Sequence, residues 1–162
     1  MQSLTNFIQE KLHISNYKEY SYTPKTKQEL QDILFKLIQE RGTNANLNDI
    51  DVSNITDMSN LFENMRFWKL GIKNIDISKW NVSNVEDMRR MFEGNSNLDV
   101  DLSSWDVRKV KNMRFMFNDC VSYKGKGLNN WKVESLEDMT NMFFHCHSLK
   151  EKPSWYDINK FK

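Results

Sequence analysis

Cysteine, glycine and proline are all scarce in this 162-residue chain: two, five and two residues respectively. Two cysteines, Cys120 and Cys146, are too few for a disulfide scaffold. So little glycine and proline excludes a linker-like or low-complexity chain. Neither sign of charge dominates, with 23 Lys plus Arg against 22 Asp plus Glu. There is thus no electrostatic reason to expect nucleic acid or an anionic membrane as partner. No run approaches the ~18 apolar residues needed to span a bilayer, so no membrane insertion is expected. The opening stretch MQSLTNFIQEKLHISNYKEY has no apolar run behind a basic segment and no cysteine to accept a lipid. As written, the chain reads as a soluble, cytoplasmic monomer. Gly-rich phosphate loops, paired catalytic carboxylates and serine-triad signatures are missing as well, so neither an enzyme nor a cofactor is expected.

What the sequence does have is large, adaptable apolar side chains. Only 39% of residues are hydrophobic, yet these include five Trp, ten Phe and nine Met. They recur. WNVSNVEDMRRMF (Trp80 to Phe92) returns as WDVRKVKNMRFMF (Trp105 to Phe117). Numbering each unit from the apolar residue three before its Trp, positions 1, 4, 6, 9, 12, 15 and 16 are apolar in four consecutive units. The first unit has Leu47, Ile50, Val52, Ile55, Met58, Leu61 and Phe62; the second has Ile77, Trp80, Val82, Val85, Met88, Met91 and Phe92. The third has Leu102, Trp105, Val107, Val110, Met113, Met116 and Phe117; the fourth has Leu128, Trp131, Val133, Leu136, Met139, Met142 and Phe143. All 28 positions are apolar, and the Trp spacings are 25 and 26 with Trp155 following 24 later. Such a repeat overrides element-by-element reading.

Within a unit the alternation of positions 4 and 6 predicts a short strand. The spacing of positions 9, 12, 15 and 16 predicts a short helix. Asn54, Asn84 and Ser135, each three residues before an Asp (Asp57, Asp87, Asp138), suit its N-cap, with a weaker cap at Lys109 and Asn112. The expected fold class is therefore α/β: a solenoid of four to five strand–short-helix rungs behind an N-terminal helical cap. Thr26 with Glu29, a stripe of Leu30, Ile33, Leu34, Leu37 and Ile38, and Gly42 predict a cap helix over about 26–41, with a shorter helix near 4–12. The domain boundaries that follow are 1–45 for the cap, 46–158 for the repeats and 159–162 for a tail. Five extra residues near 69–74 are expected to bulge between the first two rungs. Trp155 begins a fifth rung that Asp157 stops.

The stretch LSSWDVRKVKNMRFMF (Leu102 to Phe117), and the pattern L-x-x-W-x-V-x-x-V-x-x-M-x-x-M-F over about 47–158, resembles the repeat of BspA-like leucine-rich-repeat surface proteins of bacteria. The resemblance implies a right-handed leucine-rich-repeat-like solenoid. It also implies a role in protein–protein contact, often adhesion to host surface or matrix proteins, at the cell surface or secreted, with no catalytic residues to transfer.

A partner would meet the residues that the repeat leaves free. Outward strand positions give Asp49, Asp51, Lys79, Asn81, Asp106, Arg108, Lys132 and Glu134, and Trp68 beside the insertion is a second candidate. The alternative is a polyanion or nucleic-acid contact through the basic strip of Arg89, Arg90, Arg108, Lys109, Lys111 and Arg114. Cys120 and Cys146 fall at equivalent repeat positions and read as stacked buried thiols, with a disulfide left open. His145, Cys146 and His147 are consecutive and cannot all face one ion, so no metal is expected.

Overall fold

The computed structural model describes residues 20–63, 70–157 and 159. The expected helix near 4–12, and Trp68, lie outside them. The cap helix forms where its signals place it: α1 spans Lys27–Arg41. Thr26 Oγ1 accepts the Glu29 N–H at 3.2 Å, and the Glu29 carboxylate accepts the Lys25 N–H at 2.6 Å. At the other end Gly42, at φ 83°, donates to the Ile38 carbonyl. Leu30, Leu34, Leu37 and Ile38 are buried and Ile33 is partly so. Lys27 Nζ binds Asp57 and Ser59, and Gln31 Nε2 binds the Asn60 carbonyl. The helix therefore lies across the first repeat.

The repeats themselves are not rungs of strand and helix. Among the described residues α1 is the one α-helix, a 3-10 turn spans Leu128–Asn130, and no strand and no sheet form. The α/β leucine-rich-repeat-like solenoid expected above is thus overturned, and the reason is local. Each unit is a succession of turns closed by i to i+3 backbone bonds. In the second unit the N–H of Trp80, Val85, Met91, Asn95 and Leu98 bonds the carbonyl three residues before it, and the third unit repeats the series at Trp105, Val110, Met116, Cys120 and Tyr123. A helix is broken at position 14, where Asn60, Arg90, Phe115 and Asn141 all adopt φ between 53° and 56°. The carboxylates expected at helix N-termini have a different role: Asp57, Asp87 and Asp138 each accept the N–H two residues on, and so does Asn112. These are Asx turns, which Asn makes as well as Asp, so the third unit is no weaker than the rest. Further Asx turns centre on Asp76 and Asp101, and on Asp51, Asn81 and Asp106. The extended stretch left around each Trp is too short for a strand ladder.

The units nevertheless stack in register. Isolated parallel bridges run from Asp57 to Asp87 to Asn112 to Asp138, and others join Tyr22 to Ile50 and Asn46 to Asp76. Of the 28 apolar repeat positions only Val133, in the last unit, is not buried. The Phe rings form one column, Phe62–Phe92–Phe117–Phe143, with centroids 5.3, 5.4 and 5.8 Å apart and planes within 11° of parallel. Trp80 stacks on Trp105, and Trp131 on Trp155.

Each of the four stacked Trp side chains also donates its indole N–H to the position-1 carbonyl of the preceding unit: Trp80 to Leu47, Trp105 to Ile77, Trp131 to Leu102 and Trp155 to Leu128, at 2.7–3.1 Å. Large area and a single donor at its edge explain why this position holds Trp in three of the four units and again at 155. The expected bulge is not one over the residues described. Ile72 and Ile75 are buried, Asp76 bonds Ala45, and Lys73 bonds Thr43 on one side and Asp99 on the other. Ala45, Ile75 and Val100, each two residues before position 1 of its unit, are also buried, an inward position that the repeat template omitted.

The largest of the buried side chains with a polar atom left without a partner is Tyr123. Tyr123 stacks on Phe117 at 4.4 Å, is fully buried, and its hydroxyl has no hydrogen-bond partner. Burial also pushes its pKa well above the usual range. Tyr123→Phe is expected to raise the unfolding free energy by about 1 kcal/mol, since it removes an uncompensated desolvation. Urea melts of the two proteins check this; a loss of stability would mean that the hydroxyl is bonded after all.

Candidate interaction surface

The residues nominated for partner binding divide into two kinds. Asp49 is committed to α1: its carboxylate takes both guanidinium nitrogens of Arg41 at 2.9 Å, which holds its pKa below the usual range. Asp51, Asn81 and Asp106 are the heads of Asx turns and so build the backbone as well as face outward. Asp106 also grips Arg108 of its own turn, Nε to Oδ1 at 2.9 Å and Nη2 to Oδ2 at 2.7 Å, which brings its pKa down to about 2. Lys79, Asn81, Arg108, Lys132 and Glu134 are the exposed members. Arg108 and Glu134 occupy equivalent positions in the third and fourth repeats. Trp68 lies outside the described residues. Asx-turn duty could have been read from the sequence, because Asp or Asn stands two residues before Ser or Arg at each of these places.

The basic strip is divided by the turns. Lys111 pairs with Glu86 at 2.7 Å, Lys109 binds the Asn84 amide, and Arg108 is held by Asp106. Arg89, Arg90 and Arg114 instead converge, with Asn60, Asn112 and Asp138, on a cleft of about 390 Å³. Arg90 and Arg114 both lie over the Phe115 ring, 4.7 and 5.0 Å from its centre, and Arg90 also pairs with Glu93 at 2.7 Å.

The thiols are inert by placement. Cys120 Sγ donates to the Phe92 carbonyl at 3.1 Å and Cys146 Sγ to that of Phe117 at 2.9 Å. Asn95 does the same in the second unit, its side-chain amide bonding the Phe62 carbonyl. Both cysteines are free, and burial pushes the Cys120 thiol well up and that of Cys146 to about 11. Burial thus disfavours the thiolate form at both. His145 Nδ1 lies 2.6 Å from Asp119, and among the described residues no three His, Cys, Asp or Glu side chains converge to hold a metal ion. No helix among them is long and apolar enough to cross a membrane.

A family model matches residues 31–156, from within α1 through Tyr156. The chain belongs to the family described as Mycoplasma protein of unknown function, DUF285. The DUF285 match covers all four repeats together with most of the helix over the first of them. No curated protein and no solved structure matches the chain.

Proposed function

We propose that this DUF285 protein is a non-enzymatic protein–protein interaction module that binds a host or surface protein through the polar face bearing Lys79, Asn81, Arg108, Lys132 and Glu134. The observation that carries the reading is the division of labour in the repeat. Apolar positions are spent on the columns and most Asx positions on the turns, while the exposed side chains of this face change sign and size from one unit to the next. Fixed backbone spacing with varied side chains is the geometry by which repeat proteins recognise partners. The resemblance of the repeat to BspA-like surface proteins supports the same reading.

A second reading rests on the arginine cleft. Three guanidinium groups around one polar hollow suit a polyanion, which the sequence alone offered only as a scattered strip. One set of experiments separates the two. The full chain, the variant with Lys79, Arg108 and Lys132 changed to Glu, and the variant with Arg89, Arg90 and Arg114 changed to Glu are each passed over immobilised host and bacterial surface proteins and over heparin. Capture of a protein that weakens about tenfold or more in the first variant supports the interaction module. No protein partner, or equal binding by wild type and the first variant, sinks it. Retention on heparin that only the second variant loses favours the polyanion.

A further inference from the structure

Two arginines of the cleft start from matched turns. Position 13 holds Ser59, Arg89, Arg114 and Thr140 in the four units. In each unit its N–H is taken by the Asx head two residues before: Asp57, Asp87, Asn112 and Asp138. A parallel bridge joins Asp87 to Asn112, so Arg89 and Arg114 leave the backbone one repeat step apart, about 4.8 Å. Hydroxyl side chains bound the pair. On one side stands Ser59, bonded to Lys27, whose charge goes to Asp57 at 2.7 Å. On the other stands Thr140.

The charges of the cleft are not equally available. Arg90 is clamped by Glu93 at 2.7 Å, with Glu63 3.9 Å away. Arg89 has Asp87 at 3.7 Å, a loose contact. The exposed Arg114 side chain has neither hydrogen bond nor ion pair among the described residues. Phe115, whose ring both Arg90 and Arg114 cover, sits at φ 56°, a conformation disfavoured for an aromatic residue and pinned here by its N–H on the Thr140 carbonyl. Asp138 lies in the same lining, with one carboxylate oxygen on the Thr140 N–H. Its second oxygen and the Asn112 side-chain NH2 have no partner among the described residues. A carboxylate there opposes a second anionic group and offers a strong acceptor to a hydroxyl.

Resting on the second reading above, we infer that this cleft is a discrete site for a sugar bearing one sulfate or phosphate ester. Arg89 and Arg114 fork the ester oxygens, and Asn112 and Asp138 take hydroxyls of the ring. Arg90, held by Glu93, is a positioning residue that shares the Phe115 ring with Arg114. With much of the positive charge already matched inside the protein, the cleft suits one anionic group beside hydroxyls and not a long run of charge. Its volume of about 390 Å³ lies at the small end of ligand sites, which span about 300–1,000 Å³, and so suits a short saccharide.

The full chain is titrated calorimetrically with glucose 6-sulfate, glucose 6-phosphate, glucose and inorganic sulfate. One-to-one, saturable binding of an ester is expected, about tenfold or more tighter than that of glucose or of inorganic sulfate. The tighter of the two esters names the source of the anion. Arg89→Lys and Arg114→Lys keep the charge but lose the fork, and each weakens the ester about tenfold with an unchanged melting temperature. Asp138→Asn keeps its Asx turn, as Asn112 does, and narrows the preference for the sugar ester over inorganic sulfate. Lys109→Gln, a change of charge outside the cleft, leaves binding as it was. No saturable binding of either ester up to ~10 mM, equal binding by the two lysine variants, or inorganic sulfate binding as tightly as the esters would overturn the assignment. Retention on heparin that only the Arg89, Arg90 and Arg114 reversal loses, with neither ester bound, leaves the polyanion reading standing and overturns this one.

Discussion

Gly127→Ala is expected to lower the unfolding free energy by about 3 kcal/mol, a drop in melting temperature of roughly 10 °C for a chain of this length. Gly127 sits at φ 86°, and a Cβ there would stand 2.4 Å from both the Cα and the N of Ser103 in the preceding repeat. Backbone cannot step aside as a side-chain tip can. The cost therefore combines left-handed strain, about 1–2 kcal/mol for an L-residue, with a displacement of two stacked layers. Gly71→Ala is the matched control. It has φ 63° but nothing within 4 Å of the added carbon, so it should lose only the conformational part. Thermal melts of both variants isolate the close approach; equal shifts would show that the layers move apart without penalty.

The same glycine shows what the sequence disclosed and what it hid. The step from the third to the fourth unit is 26 residues against 25 for the step before it, and the extra residue lies in YKGKGL (Tyr123 to Leu128). Gly125 and Gly127 both take positive φ there and absorb it. The core was legible in the same way. Stacking requires each inward position to be filled in every layer, so a strict apolar recurrence names the buried residues, and only Val133 of the 28 escapes burial.

The secondary structure of the repeats, unlike that of α1, was not legible, because a spacing of three is ambiguous. It belongs to one face of a helix, but equally to a β-turn whose first and last residues both point inward. Asp at position 11 does not decide between them, since a helix N-terminus and an Asx turn use the same carboxylate. The discriminating signal was position 14. Asn60 and Asn141 favour the left-handed region, but Arg90 and Phe115 do not, and only stacking on the neighbouring layers holds those two there. The polar face was half legible: charge and variety were visible, whereas the commitment of Asp49 to Arg41 depends on where α1 lies.

Phe92→Ala should destabilise the protein by about 3–5 kcal/mol, as removal of a buried ring does when the site cannot collapse. Phe92 is fully buried at the centre of the column, 5.3 Å from Phe62, 5.4 Å from Phe117 and 6.4 Å from Trp105. Its backbone is pinned as well, donating to the Met116 carbonyl and accepting the Cys120 thiol, so the neighbouring layers cannot close over the hole. Phe143→Ala removes the same ring from the end of the column, where Tyr156 is the outer neighbour and 7% of the residue is already exposed. It should cost roughly half as much, for it loses one stacking partner rather than two and leaves a gap open to water. Urea denaturation of the two variants measures the difference. Equal losses would mean that the column does not act as coupled nearest neighbours, and that each repeat holds its Phe by its own turns alone.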